Sequence, residues 1–320
     1  MNYKNLCYVV LFFVFVMAFF TGCAPSARIP VLKPAEINLR GLDKIAVGNI
    51  SGNIGPLVGD LLTSRLFESD KFTVVDRQNL DRIMSEHRLN LSGTVDPDTA
   101  SEMGKLTGAA CLITGNSQMN YEFKRWTGKA WKDKQGKWHR LYNVKGTANV
   151  KSTLKVIDLT TGQIMAVKSI SKSDSASDWQ DNQWPQNPDK DSLVSSAVDS
   201  MMDTFMKMIA PYTVYVQVTF EKSDLPESEA GVTFAKQGLW KDALIQFKAA
   251  KDAVPSEPGL WYNLGLAYEY NFKYRHAIEA FKEAIKIEPS KKYFTEISNV
   301  KRLQAERKKL EQQGAINPEN

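Results

Sequence analysis

A motif of small, aromatic and proline residues occurs twice near the carboxyl end of the chain, with the same offset between every pair of equivalent positions. The offset matches a period of about 34 residues, which corresponds to one pair of antiparallel helices that buries its apolar face only against a neighbouring pair. Proline ends the second helix of each pair because it lacks a backbone N–H. The spacing therefore predicts an all-α module over residues 221–312, with a capping helix from 291 to 312 and a short tail over 313–320. The paired positions are Ala243 and Ala277, Phe247 and Phe281, Ala250 and Ala284, and Pro255 and Pro289.

The first helix of the second copy completes the pattern with Trp261, Leu264, Gly265 and Tyr268, and the whole set resembles the tetratricopeptide repeat. The first copy departs from this set, because Ala230, Gly231 and Phe234 stand in place of its Trp/Leu-Gly-Tyr residues. The resemblance implies that the first helices line a concave groove that binds a protein or peptide partner. The alternative is that the repeats only brace the fold or an oligomer. The residues that the resemblance nominates for the groove are Lys236, Tyr262, Leu266, Glu269 and Tyr270.

The amino-terminal segment predicts export from the cytoplasm. Lys4 precedes an apolar run from Leu6 to Phe20, which is too short to cross a hydrocarbon core of about 30 Å as a helix. The residues 20–23, Phe-Thr-Gly-Cys, resemble the bacterial lipoprotein signal, although Phe20 stands where leucine is usual. A plain secretory signal is the alternative.

The lipoprotein resemblance implies that residues 1–22 are removed as a signal peptide and that Cys23 carries the lipids. Ala24 after this cysteine is typical of delivery to the outer membrane, so we expect a lipid anchor there and a body that lies in the periplasm. The proline-rich residues 23–40 are predicted to be a tether. Cys111 is then the one remaining thiol of the mature chain, and its apolar surroundings predict a buried, inert side chain.

The pattern between residues 41 and 220 predicts an α/β domain with a mixed, partly antiparallel sheet and flanking helices. Apolar residues at helical spacing follow a first strand, and period-two alternation begins near Cys111. A long hairpin and a third strand then lead to a helix. The predicted strands are 44–50, 72–77, 111–123, 138–157, 163–170 and 214–220, and the predicted helices follow residue 54, follow Asn79, and span 98–107 and 191–209.

Four stretches of this domain follow one another in a characteristic order: 44–50 (KIAVGNI), 76–80 (DRQNL) leading into 86–89 (EHRL), 112–115 (LITG) and 154–164 (LKVIDLTTGQI). Together they resemble the curli production assembly/transport component family of outer-membrane lipoproteins. The resemblance implies a protein that oligomerises and helps to assemble or export surface material. Lipoprotein activators of cell-wall synthases have a broadly similar architecture, so the fold alone does not define the task.

In that family, two hairpins of each subunit contribute to a pore across the membrane. The first candidate hairpin here carries ten Lys and Arg residues against one acidic residue, Asp133, between positions 124 and 155. Charges that face lipid cost several kcal/mol each near the bilayer centre. The second hairpin would need residues 171–190, which are rich in Ser, Asp, Asn and Pro. The sequence therefore favours an oligomeric scaffold or adaptor, with a ring-shaped export channel and a cell-wall synthase activator as alternatives.

The basic hairpin also carries three tryptophans beside its lysines, and this combination suits contact with anionic lipid, polysaccharide or an acidic partner. The alternative is a solvated surface ribbon. Nucleic acid is disfavoured as a partner because of the export signal. The residues nominated for contact are Lys124, Arg125, Trp126, Trp131, Lys132 and Trp138.

The composition offers little material for catalysis. The chain has three Cys and three His, which disfavours a zinc site or a Cys/His catalytic pair. Glycines at 48, 52, 55 and 59 lie between a strand and a helix, but no Gly-Lys-Ser/Thr motif follows them. We therefore expect a binding protein rather than an enzyme, without a metal or cofactor.

Overall fold

The computed structural model describes residues 24–75 and 97–317. These divide into two compact units, a body formed by residues 34–212 with 310–317, and a repeat unit formed by 24–33 with 213–309. The predicted signal peptide, Cys23, the motif at 76–89 and the helix predicted after Asn79 lie outside the described residues. Within the described ranges, no helix has the length and apolar character needed to span a membrane.

Strands and helices are numbered here along the described chain. The strands are β1 (Ser26–Lys33), β2 (Lys44–Ser51), β3 (Thr73–Val75), β4 (Cys111–Thr127), β5 (Trp131–Lys132), β6 (Trp138–His139), β7 (Leu141–Asp158), β8 (Ile164–Asp181) and β9 (Tyr212–Thr219). The helices are α1 (Gly55–Glu68), α2 (Pro97–Thr107), α3 (Lys190–Ile209), α4 (Pro226–Lys236), α5 (Trp240–Ala253), α6 (Pro258–Tyr270), α7 (Tyr274–Ile287) and α8 (Lys291–Gln312).

The body contains the predicted mixed sheet, in the order β3-β2-β4-β7-β8. β2 pairs parallel with β3 and β4, whereas β7 pairs antiparallel with β4 and β8. Helices α1 and α3 cover one face, where Val58, Leu62 and Phe205 join the main apolar core. Helix α2 contributes Met103 to a smaller core that also contains Leu112 and Leu159. The predicted α/β class of this region is confirmed.

Strand β8 is longer than the sequence predicts. The predicted strand ends at residue 170, but the observed pairing continues to Asp181, which lies opposite Leu141 of β7. Ser and Asp have low intrinsic preference for strands. The long neighbouring strand β7 supplies backbone hydrogen-bonding partners that override this preference.

The predicted tether is also different in the structure. Residues 26–33 form β1, which pairs with β9 in a two-stranded sheet of the repeat unit. Ala27 and Ile29 are buried there, and proline at position 30 is compatible with an edge strand. Residues Ile37 and Leu39 pack into the core of the body. Strand β9, predicted as the last strand of the α/β domain, thus pairs outside the five-stranded sheet.

The repeat unit consists of the predicted helical pairs, α4 with α5 and α6 with α7, followed by α8. The two glycines at equivalent positions of the repeat perform the same packing role. A Cβ atom on Gly231 would lie 2.7 Å from the ring of Phe247, and one on Gly265 would lie 2.5 Å from the ring of Phe281. Both rings are fully buried. The absence of a side chain at each glycine lets the paired helices approach.

Candidate functional site

A pocket of about 290 Å³ lies in the repeat unit, against one face of α6. Its walls come from α6, α8, β1 and β9. Four of the five predicted groove residues line this pocket, namely Tyr262, Leu266, Glu269 and Tyr270. The fifth, Lys236, is exposed at the last residue of α4 and does not line it.

The chain itself covers much of the predicted groove. The hydroxyl of Tyr262 donates a hydrogen bond to the carbonyl oxygen of Thr219 in β9, at 3.2 Å. Tyr262 and Leu266 share a core with Ile29 of β1 and Val218 of β9. Burial raises the pKa of the Tyr262 phenol, so this hydroxyl stays protonated and acts as a donor. Tyr262 and Leu266 therefore form the floor beneath an opening of limited size.

Glu269 is the chemically distinctive residue of the pocket. Its side chain sits on α6 in a largely apolar face and is only 3% exposed. Among the residues that the structure describes, no group forms a hydrogen bond with its Oε2 atom. Burial, reinforced by the nearby charge of Glu296, raises the pKa of this carboxyl to about 8, although Arg302 opposes the shift. Such a carboxyl is mostly protonated at neutral pH.

The positive groups around the pocket already have acidic partners. Lys33 Nζ lies 2.7 Å from Glu306, and Lys292 Nζ lies 2.9 Å from Glu221. Arg302 also faces Glu306, at 3.6 Å. Within the described part of the chain, neither Glu269 nor Glu296 forms a salt bridge, and Glu296 accepts a hydrogen bond of 3.0 Å from the amide of Asn299. Glu269 and Glu296 are therefore the pocket carboxyls that lack a salt bridge in the described chain, although the charge of Arg302 acts on Glu269.

Sequence reasoning missed the residues that α8 contributes to this pocket. Lys292, Glu296, Asn299 and Leu303 line it, and they recur at the i, i+4, i+7 and i+11 spacing of one helix face. This periodicity is visible in the sequence. Its significance depends on the position of Glu269, which the helix pattern alone does not reveal.

The predicted basic and aromatic residues of the hairpin do not form one cluster. Lys124 and Trp126 occupy one face of β4, whereas Arg125 occupies the other, where its guanidinium donates to Asn187 at 2.7 Å and lies over the ring of Trp184. Trp131, Lys132 and Trp138 lie on the short β5–β6 ribbon at the hairpin tip, with Lys132 over the ring of Trp138 at 4.9 Å.

An additional tryptophan on β8 shares the face of Trp126. Asn143 of β7 pairs with Trp126 on one side and with Trp179 on the other, so the two rings project from the same side of the sheet. Trp126 is 48% exposed and Trp179 is 63% exposed. Trp179 was missed because the predicted strand stopped at residue 170.

His139 links the hairpin tip to the end of β8. Its Nδ1 atom is hydrogen-bonded to Asp181, its Nε2 atom lies 3.0 Å from Asp133, and its ring stacks on Trp131. The hydrogen bond to Asp133, followed by that to Asp181, raises the pKa of the imidazole. The stabilisation is therefore complete below the ordinary histidine pKa and is lost as pH rises through the higher folded-state value.

We expect Asp181→Asn to lower the pKa of His139, because the substitution removes one of the two negative partners while it keeps the side-chain shape. The measurement is an NMR titration of the His139 ring nitrogens. Asp174→Asn, on the same strand and without a contact to His139, is the matched control and should leave the titration curve in place. An unchanged pKa in Asp181→Asn would mean that the contact does not persist in solution.

Cys111 lies in the core of the body and is fully buried, as predicted. Burial raises the pKa of its thiol to about 12, which keeps it protonated and unreactive. Among the described residues, no group of His, Cys, Asp and Glu side chains has an arrangement that suits a metal ion.

Comparison with known proteins assigns the body to a family of curli production assembly/transport components. The model of the curli production assembly/transport component CsgG family matches residues 39–210, more than half of the chain, and the chain therefore belongs to this family. A tetratricopeptide repeat matches residues 258–291, which contain α6 and α7. No curated protein sequence matches the chain significantly.

Several solved structures have partial likeness to this chain. The LpoB C-terminal domain from Salmonella enterica is 12% identical, with 41% of this chain and 82% of that chain covered and a TM-score of 0.26. The NMR structure of Escherichia coli LpoB is 16% identical, with coverage of 46% and 59% and a TM-score of 0.26. Lipoprotein GNA1162 from Neisseria meningitidis is 10% identical, with coverage of 51% and 96% and a TM-score of 0.27.

Proposed function

We propose that this protein is a lipoprotein of the outer membrane that faces the periplasm and serves as an oligomeric scaffold or adaptor. It acts in the assembly or export of a cell-surface component by binding and positioning other proteins, without a catalytic step of its own. The observation that carries this proposal is that one chain combines a curli-family body with a tetratricopeptide repeat unit that retains an open, chemically distinctive pocket.

Self-association is assigned to the body. Membership of the curli family supports this assignment, and so does the edge of the five-stranded sheet, where β8 has one neighbour among the described strands. Ile164, Met165 and Val167 on this strand are exposed. Exposed apolar residues on an open strand edge favour pairing with another chain.

Recruitment of a partner is assigned to the repeat unit. Tetratricopeptide repeats present extended surfaces to other proteins. In this chain β1 and β9 cover part of the predicted groove, so the opening formed by α6 and α8 is the part that remains accessible. A segment of a partner that enters this opening is the proposed mode of contact.

We expect Cys23→Ser to move the protein from the membrane fraction to the soluble periplasmic fraction, because the acyl chains provide most of the anchoring free energy.

The full-length protein, extracted in mild detergent, should be a homo-oligomer that does not conduct ions in a planar bilayer. Mass measurement and single-channel recording on the same sample check the oligomeric state and the absence of conductance. A ring that conducts ions would favour an export channel over the scaffold, and a monomer would contradict the oligomeric scaffold.

A photo-crosslinking amino acid at position 303 is expected to join the protein to a partner in cells, because Leu303 lines the pocket. The same amino acid at position 282, on the exposed surface of α7, is the matched control and should give no such product. Mass spectrometry identifies the crosslinked chain. Products from position 303 that contain only this protein would contradict recruitment of a partner through the pocket.

A further inference from the structure

The buried carboxyl of Glu269 defines what kind of group this pocket accepts. We propose that the pocket binds a single cationic side chain, the ammonium of a lysine or the guanidinium of an arginine, that projects from a peptide segment of the partner. This inference rests on the proposed function, since it gives the chemistry of the partner that the repeat unit recruits.

The first argument is the unsatisfied oxygen. Glu269 Oε2 has no hydrogen-bond partner among the described residues, although the side chain is 3% exposed. A buried polar atom without a partner costs free energy, and such atoms are rare in native proteins. A cationic N–H donor would satisfy this oxygen once a small rotation of the Glu269 carboxyl turns it towards the pocket that the residue lines.

The second argument is the balance of charge around the pocket. The groups that face it are Lys33 from β1, Glu269 with the phenols of Tyr262 and Tyr270 from α6, and Lys292, Glu296 and Arg302 from α8. Lys33 and Arg302 share the carboxylate of Glu306, and Lys292 lies against Glu221, all within the repeat unit. An anionic ligand would compete with these existing pairs, whereas a cationic ligand would meet two carboxyls that lack a salt bridge in the described chain.

The third argument is size. The volume of about 290 Å³ lies just below the usual range of small-molecule sites, roughly 300–1,000 Å³. A pocket of this size suits one long side chain rather than a large cofactor. The wall formed by Tyr270 also favours a cation, because aromatic rings attract cations that are removed from water.

The site also couples binding to pH. Glu269 holds a proton in the empty pocket at neutral pH, because its pKa is raised to about 8 by burial. A bound cation stabilises the ionised carboxylate, so this proton leaves when the cation enters. Affinity should therefore increase as pH rises towards 8 and become constant above it.

The test uses the full-length protein in mild detergent and isothermal titration calorimetry at pH 7. The probes are acetylated, amidated pentapeptides with alanine on either side of a central lysine or arginine, and a matched peptide with central norleucine. Titrations in two buffers of different ionisation enthalpy count the released protons. We expect the lysine or arginine peptide to bind at least tenfold more tightly than the norleucine peptide and to release about 0.5–1 proton.

Glu269→Gln keeps the shape of the side chain and removes its charge. It should weaken binding of the cationic peptides at least tenfold and abolish proton release. Glu279→Gln neutralises an exposed carboxylate on α7 and is the matched control, with unchanged binding. Circular dichroism verifies that both variants are folded.

Several results would overturn the proposal. These are equal binding of the norleucine peptide, unchanged binding to Glu269→Gln, tighter binding of a peptide with central glutamate, or no binding of any cationic peptide. The photo-crosslink from position 303 separates these failures from failure of the proposed function. A crosslinked partner together with negative calorimetry would retain recruitment and reject the cationic ligand.

Discussion

Phe281→Ala is expected to lower the free energy of unfolding of the repeat unit by about 4 kcal/mol. Phe281 is fully buried between α6 and α7, and its ring lies where a side chain on Gly265 would be. The substitution removes a large apolar contact and leaves a cavity that the two helices fill only in part.

A double-mutant cycle with Gly265→Ala makes this prediction specific to the packing. In the native background, a Cβ atom at position 265 would lie 2.5 Å from the Phe281 ring, so Gly265→Ala should cost about 2 kcal/mol through overpacking. In the Phe281→Ala background the same methyl group enters the cavity and should become neutral or stabilising. The cycle then gives a coupling free energy of about 2 kcal/mol.

Hydrogen exchange measured by mass spectrometry reports these changes on peptides from α6 and α7. Peptides from α3, in the body, serve as the internal control and should exchange as in the native protein. Additive costs for the two substitutions would contradict the close contact, and equal effects on α3 would indicate a global rather than a local change.

The period of the repeat predicts the repeat unit well because its contacts are local. The glycine and phenylalanine of each helical pair lie on consecutive helices, and both pairs pack as the spacing requires. Helix α3 is similarly predictable, since its buried residues recur at helical spacing and Asp189 caps its first turn. Short-range periodicity is sufficient for elements of this kind.

The sequence predicts strands β1 and β8 less well because pairing with another strand, rather than local preference, determines how far each extends. The proline-rich sequence of β1 resembles a linker, and its partner β9 follows only after all the strands of the five-stranded sheet. The polar end of β8 adopts the strand conformation only because β7 extends beside it and pairs with it. The sequence predicts strands at both partners, 138–157 and 214–220, but not that β1 and the polar end of β8 pair with them.

The candidate site depends both on short-range helical periodicity and on contacts between segments that lie far apart in the sequence. The repeat pattern placed Tyr262, Leu266, Glu269 and Tyr270 on one face of α6, where they do line one pocket. Burial of Glu269, which gives the site its chemistry, also requires β1, β9 and α8. A sequence pattern that assigns Glu269 to an open groove does not predict a protonated carboxyl.

Glu269→Gln is expected to stabilise the repeat unit by about 3 kcal/mol at pH 7, by about 5 kcal/mol at pH 9 and by only about 1 kcal/mol at pH 5. The pKa of Glu269 is raised from 4.5 to about 8 in the folded chain, so folding takes up a proton between these values. The stability that the protonated carboxyl provides is complete below pH 4.5 and is lost as pH rises through about 8. Glutamine resembles the protonated form at every pH and does not incur this loss.

Chemical denaturation at pH 5, 7 and 9, followed by hydrogen exchange of α6, measures the effect. Burial holds the phenol of Tyr293 at a pKa of about 12 and also raises that of Tyr270, so these tyrosines do not titrate in this range. Glu279→Gln should retain the native dependence on pH.

If Glu269→Gln retained it too, the carboxyl would already be compensated in the folded protein. The chemical reason for a cation in the pocket would then disappear. A divergence that grows with pH, and that the lysine peptide reduces by stabilising the native protein, would instead tie the burial of Glu269 to the binding of a cation.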